Sequence, residues 1–165
     1  MRPFLLLLAI QNKCSTKIMN HANDPIFMNL DKKDDGYQNA IQLAVSTLSI
    51  FKSQIEKLSK GDFACVKFYI PESADASYGA NIWLMSPFFE EGFCYAQPFE
   101  LPKEFEWVRV GQWLKFAEKD LLDWYILSEN GEMRGGYSLR YQRSLLLEED
   151  KAEFDQRIGL SRFLG

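Results

Sequence analysis

The hydrophobic pattern of this chain changes its period at Gly61, and this change constrains the fold more than any other sequence feature. Before Gly61, apolar residues recur every three or four positions, as on one face of an α-helix. After Gly61, the pattern alternates with a period of two, as in strands that bury one face. The sequence therefore predicts a helical segment followed by a sheet.

The helical segment runs over residues 38–58. Acidic residues near its start and lysines near its end complement the helix dipole, and Gly61 is well placed to terminate it. Its predicted buried face consists of Ile41, Ala44, Val45, Leu48, Phe51, Ile55 and Leu58. We expect one long amphipathic helix that covers the sheet.

Six segments after Gly61 have the pattern of strands: FACVKFYI, NIWLMSPFF, GFCYAQPF, VRVGQWLKFA, LLDWYIL and EMRGGYSLR. A final segment, SLLLEEDKAEFDQRIGL, is acidic at its start and carries apolar residues at helical spacing, ending before Gly159. The prediction is an α+β fold, with one long N-terminal amphipathic helix packed on a curved antiparallel sheet of about five to six strands and a short C-terminal helix.

The N-terminal residues have a different pattern from the rest of the chain. Arg2 precedes an apolar run from Phe4 to Ile10, and polar residues follow as far as Asp35, which is the layout of a short signal peptide with Cys14 as a candidate for lipidation. The alternative is an edge strand followed by a loop. We expect residues 1–14 to be a signal or lipoprotein segment, 15–36 a tether and 37–165 one domain.

Two locations and two cysteine states remain open. If the chain is exported to the cell envelope or periplasm, Cys65 and Cys94 can pair in an oxidising compartment. The alternative is a cytoplasmic protein with free thiols. Buried free thiols are the favoured state, because both cysteines lie in apolar strand-like runs where cysteine packs as a small hydrophobic residue.

Composition restricts the class of function. The chain has 165 residues, 47% of them hydrophobic, and a net charge of −4, so it fits one globular domain without a broad basic surface for nucleic acid. The single histidine, His21, lies in the predicted tether, which leaves no histidine for a catalytic triad or an ordinary zinc site in the folded core. We assign no catalytic residue, metal site or cofactor, and the composition favours a protein that is not an enzyme.

The run DWYILSENGEMRGGYSLR predicts a hairpin. A two-residue type I′ turn at Asn130-Gly131 places Trp124 opposite Tyr137, and it makes Asp123 and Arg140 diagonal neighbours that can form an ion pair. A longer loop shifts the register by one residue and separates these side chains onto opposite faces.

The run from Gly111 to Arg140 resembles the bacterial domain of unknown function 2314 family (DUF2314, YegJ-like). That family's pattern has an Asp-Trp strand, a short Asn/Gly turn, and Gly-Gly-Tyr-Thr followed by Arg, and the resemblance extends over about residues 37–159. This chain has Gln112 in place of the usual Asp and Ser138 in place of the usual Thr. It also lacks the Glu-His pair that relatives often carry before the tryptophan at position 83. The resemblance implies a fold and no reaction.

Two functions are compatible with these residues. The first is a non-enzymatic binding or accessory module of the cell envelope, of the immunity type for example, which contacts another protein through a sheet face lined with aromatic side chains: Trp83, Trp113, Trp124, Tyr125 and Tyr137. The favoured alternative for these rings is that most of them fill the core of the sheet. The alternative is a small carboxylate-dependent hydrolase or ligand-binding enzyme that uses Asp123 and Arg140. The candidate binding residues are Trp83, Asp123, Trp124, Tyr137 and Arg140. The expected partner is another protein, with membrane contact only through an N-terminal lipid anchor.

Substituting Cys14 tests the exported, acylated form. In the Cys14→Ser variant no acyl chain can be attached, so we expect the protein to move from the membrane fraction to a soluble fraction of its host cell. Fractionation with immunodetection measures the shift. An unchanged distribution, with an intact N-terminus, would show that Cys14 is not acylated.

Overall fold

The computed structural model describes residues 33–73 and 79–165. Within these ranges the chain is α+β, as predicted. The elements in chain order are α1 (Asp35–Ser46), α2 (Leu48–Ile55), β1 (Phe63–Pro71), β2 (Gly79–Glu90), β3 (Phe93–Pro98), β4 (Leu114–Ala117), a 3₁₀ turn (Glu118–Asp120), β5 (Asp123–Leu127), β6 (Glu132–Gly135), α3 (Tyr137–Ser144), α4 (Glu148–Ile158) and β7 (Arg162–Phe163). The predicted C-terminal helix is confirmed as α4, which ends at Gly159 in the left-handed conformation.

The described part of the chain forms one sheet of seven strands in the order β4-β3-β2-β1-β5-β6-β7. The prediction of five to six antiparallel strands was too low, and it missed β7, which pairs with β6 in parallel. The sheet is strongly curved. Phe68 on β1 stacks on Phe116 on β4 with ring centroids 4.3 Å apart, although two strands lie between them.

The predicted single N-terminal helix is interrupted at Thr47, so the structure has two helices, α1 and α2. The Trp124 indole donates to the Ala44 carbonyl at 3.1 Å, and it lies 3.2 Å from the Thr47 hydroxyl, which itself donates to Leu43 at 2.7 Å. Side chains that insert into a helix ladder in this way interrupt it. The predicted apolar face is not continuous, since Val45 is 47% exposed and Leu58 is 39% exposed.

Both faces of the sheet are covered, so the core has two parts. On one face, α1 and α2 pack on β1, β2 and β5 through Ala44, Leu48, Phe51, Val66, Phe68, Leu84 and Trp124. On the other face, α3 and α4 contribute Leu139, Phe154 and Ile158 to a cluster with Cys65, Tyr125, Leu127 and Met133. Cys65 and Cys94 belong to different clusters and are both free and buried, so the disulfide alternative was wrong.

The β5–β6 hairpin has the longer loop, and its predicted register was wrong by one residue. Tyr125 lies opposite Gly135, and Ser128 donates to the Glu132 carbonyl at 2.9 Å, which leaves a three-residue loop that ends at Gly131. Gly131 has φ +80°, as expected for the left-handed last residue of such a loop. Strand β6 ends at Gly135, so the second half of the predicted strand EMRGGYSLR is helix α3.

No helix in residues 33–73 or 79–165 combines the length and apolar character needed to cross a bilayer. The signal or lipoprotein segment and the tether predicted for residues 1–36 lie almost entirely outside the described residues, as does Cys14. Asp34 is described. Its side chain caps α1 by accepting from the Tyr37 amide at 3.0 Å, and it also accepts from the Tyr141 hydroxyl on α3.

We expect Gly135→Ala to destabilise the protein by about 2 to 4 kcal/mol, because φ there is +70° and an added Cβ would lie 2.4 Å from the Trp124 carbonyl oxygen. Gly92→Ala is the matched control. Gly92 also has positive φ, +79°, but nothing lies within 4 Å of its added Cβ, so only about 1 kcal/mol of backbone strain is expected. Urea unfolding measures both, and equal losses would contradict the close approach.

Candidate functional site

Asp123, the first residue of β5, is fully buried and uses all of its acceptor capacity. Its Oδ1 accepts from the amides of Trp124 at 2.8 Å and Tyr137 at 3.2 Å. Its Oδ2 accepts from the Ser138 amide at 2.8 Å and the Ser138 hydroxyl at 2.6 Å. A carboxylate has about four lone-pair positions, so this one has none left for a substrate.

The two amides from residues 137 and 138 identify the role of this carboxylate. They are the first N–H groups of α3, which have no partner inside the helix. The N-cap residue, Gly136, has no side chain to accept from them and lies at φ +63°. Asp123 therefore caps α3 from a neighbouring strand, and its negative charge lies where the helix dipole favours it.

Lys67 extends this cluster across to β1. Its Nζ donates to the Ser138 hydroxyl at 3.2 Å and lies 5.3 Å and 5.6 Å from the ring centroids of Trp83 and Tyr37. Burial lowers the pKa of the Lys67 ammonium to about 8, although the charge of Asp123 opposes that shift. Burial likewise raises the pKa of the Asp123 carboxyl, against the hydrogen bonds from Ser138 and the charge of Lys67. We call Lys67, Asp123 and Ser138 the polar cluster.

Trp124 follows Asp123 in β5 and therefore points to the opposite face of the sheet. Its ring stacks on Phe51 with centroids 4.8 Å apart and meets Tyr137 edge-on at 5.9 Å. The predicted contact between Trp124 and Tyr137 thus exists, but as a strand-to-helix contact and not as a cross-strand pair. Trp124 is 2% exposed, so it is a core residue with no free surface for a partner.

The predicted ion pair between Asp123 and Arg140 was wrong. Arg140 lies in α3 and donates to the main-chain carbonyls of Gly135 at 2.9 Å and Leu164 at 2.5 Å, and its guanidinium lies 4.6 Å from the Phe163 ring centroid. It therefore holds the C-terminal end of the chain against β6. The two side chains are separated because β6 ends at Gly135 and residue 140 lies in α3.

The predicted aromatic sheet face was also wrong as a single surface. Trp83 contacts Tyr125 at 4.8 Å on the face opposite to Trp124, and Tyr125 is 3% exposed. Of the aromatic residues that the sequence placed together, only Trp113 is widely exposed, at 52%. The structure divides the others between the two cores.

A different group of aromatic side chains lies on the outer face of β2 and β3 and just before β4, where Phe88, Phe93 and Trp113 are exposed and Tyr95 is half-buried. Phe88 stacks on Tyr95 at 4.8 Å and meets Trp113 at 5.4 Å, and the Lys115 ammonium lies 3.9 Å from the Phe93 ring centroid. We call these five residues the aromatic patch. Sequence reasoning missed the patch, although the alternation of Phe93 and Tyr95 with the buried Cys94 and Ala96 was a signal that could have revealed it.

A cleft of about 670 Å³ lies between α1 and β4 with the turn that follows it. Its apolar wall includes Ile41, Val45 and Phe116, and its rim carries Lys115, Lys119 and Asp120. The volume is in the range of ligand-binding clefts. The cleft also reaches Tyr37, whose ring borders Lys67, but the polar cluster itself does not line it.

We expect Asp123→Asn to lose about 3 to 5 kcal/mol of stability, because the amide turns two donors toward groups that are themselves donors and leaves Lys67 without its buried counter-charge. Asp120→Asn is the control. Asp120 is exposed three residues away and should change stability by no more than about 0.5 kcal/mol. Thermal and urea unfolding measure both. An Asp123→Asn protein as stable as the control would show that the carboxylate does not hold α3.

A relative from Neisseria meningitidis serogroup B, named "Putative ankyrin repeat protein", is 23% identical over 143 residues, which are 83% of this chain and 56% of the relative. The chain thus spans a little over half of that protein's length. No solved structure matches the chain. A bacterial family matches residues 34–162, which include the polar cluster, the aromatic patch and the cleft. Because this match covers most of the chain, the protein belongs to the family described as "Uncharacterized protein conserved in bacteria (DUF2314)".

Proposed function

We propose that this protein is a non-enzymatic binding or accessory module that contacts another protein through the aromatic patch. The observation that carries the proposal is the exposure of large aromatic rings on one face: Phe88 is 44% exposed and Trp113 52%. Aromatic side chains are enriched at protein interfaces, where they add large rigid contact areas at small entropic cost.

The polar cluster supports the binding module over the hydrolase alternative. A catalytic carboxylate needs an open path to substrate, and Asp123 is fully buried with four hydrogen bonds. Arg140, its proposed partner in the hydrolase alternative, is engaged with Gly135 and Leu164. These residues are better explained as a support for the fold than as an acid and a substrate anchor.

The name of the Neisseria relative also supports a binding role. Ankyrin repeats stack into solenoids that present extended binding surfaces. The name of that relative agrees with a binding role, and the part that aligns with this chain is 56% of the relative.

We further propose that the module acts at the cell envelope. The support is the sequence layout of residues 1–14, with a basic start, an apolar run and Cys14. The cytoplasmic alternative predicts the protein in the cytoplasmic fraction, and separation of cytoplasmic, periplasmic and membrane fractions distinguishes the two.

A photo-crosslinking residue at position 113 tests the role of the patch. We expect it to yield one discrete protein adduct in host cells, whereas the same residue at position 50 yields none. Ile50 is the matched control, since it is 51% exposed on α2. Adding Phe88→Ser to the position-113 protein should lower the adduct yield at least about fivefold, as expected for truncation of an interface anchor.

Circular dichroism and thermal unfolding of the same variants exclude loss of the fold as the cause. An adduct pattern at position 113 that matches the pattern at position 50, or a yield that Phe88→Ser leaves unchanged, would contradict the proposed function.

A further inference from the structure

Strand β4 forms one edge of the sheet, and among the described strands it pairs with β3 alone. Glu118 donates to the Gly92 carbonyl at 3.0 Å, and hydrogen-bonded pairs alternate with non-bonded pairs along an antiparallel ladder. Phe116 is therefore bonded to β3, whereas the N–H and C=O groups of Lys115 and Ala117 point away from the sheet. These outward groups are a template for another strand.

The two faces of β4 lead to different surroundings. The Lys115 side chain lies over the aromatic patch, 3.9 Å from the Phe93 ring centroid. The Phe116 side chain points to the inner face, where it lines the cleft together with Ile41 and Val45 of α1. A strand added beside β4 would alternate its side chains between the same two surroundings.

We propose that an extended segment of the partner protein adds to β4 as a further strand and lies between β4 and α1. The inference rests on the proposed function, because it describes how the same module holds its partner. Main-chain hydrogen bonds to Lys115 and Ala117 supply affinity, and the cleft and the aromatic patch select alternate side chains. A segment of about four to six residues matches the usual length of a strand.

Charge at this edge indicates the chemistry of the segment. Lys115 and Lys119 are both exposed on the rim of the cleft, and neither forms an ion pair within residues 33–73 and 79–165. Among the described residues that line the cleft, Asp120 is the one carboxylate. The segment is therefore acidic at its ends, with apolar side chains at the alternate positions that enter the cleft beside Val45 and Phe116.

Peptides of nine residues, selected from a random displayed library against the full 165-residue chain, serve as the probe. We expect acidic sequences with apolar residues at every second position. On binding, the amides of Lys115 and Ala117 should exchange with solvent at least about tenfold more slowly, because they become hydrogen-bonded. Proline scanning of the peptide should weaken binding at alternate positions only.

Ala117→Pro removes the outward N–H while keeping the strand. Ala117 has φ −65°, the value that proline fixes, and its N–H takes no part in the β3 ladder. We expect at least about tenfold weaker peptide binding. Ala117→Val, which keeps the N–H and adds comparable bulk, should stay within about threefold of the unaltered chain.

The added strand would be overturned if Ala117→Pro bound the peptide as tightly as the unaltered protein, or if both variants weakened binding equally. It would also be overturned if the Lys115 and Ala117 amides stayed unprotected on binding. If the position-113 adduct nevertheless depends on Phe88, the proposed function stands and only the binding mode fails. If the adduct shows no such dependence while Ala117→Pro still abolishes peptide binding, β4 accepts a strand independently of the aromatic patch.

Discussion

The buried carboxylate of Asp123 is the interaction on which the rest of the structure depends. It caps α3 with two amide hydrogen bonds and is linked to β1 through Ser138 and Lys67. The next residue, Trp124, points to the opposite face and bonds to the α1–α2 junction. Because neighbouring residues in a strand face opposite sides, one dipeptide joins helices on both faces of the sheet. Removing either side chain would leave buried polar groups without partners.

The double glycine is required by the same arrangement. Gly135 lets the Trp124 backbone and ring come within 2.4 to 2.6 Å of where a Cβ would stand, and Gly136 turns the chain into α3 at φ +63°. With both residues in left-handed conformations, the first amides of α3 come within reach of Asp123. Asp123-Trp124 and Gly135-Gly136-Tyr137-Ser138 therefore belong to one structural unit. A hydroxyl at position 138 is part of it, since that oxygen joins Lys67 to the carboxylate.

The polar side chains that the sequence offered for chemistry, Asp123 and Arg140, are fully occupied by these structural contacts. They lie in the part of the sheet where β1, β5 and β6 are neighbours. The exposed aromatic rings and the unpaired edge lie at the other end, on β2, β3 and β4. The molecule thus separates a buried, fully bonded support from an open surface. Because the curvature of the sheet brings β4 back toward β1, the edge strand borders a cleft beside α1 and is not isolated at the rim.

The sequence by itself determined the α+β class, the period change at Gly61, the end of α4 at Gly159 and the family, because these follow from local periodicity, from glycine and from a spaced motif. It could not determine that α1 ends at Ser46, since a tryptophan 80 residues away interrupts the helix. The hairpin register also depended on one loop residue, and a shift of one residue exchanges faces. Because β6 ends at Gly135, Asp123 met the first amides of α3, and Arg140 turned to Gly135 and Leu164. The aromatic patch, with Phe88, Phe93 and Trp113 exposed, was not predicted as a group. Only the tertiary structure decided these pairings, because long-range contacts and strand curvature have no local signature in the chain.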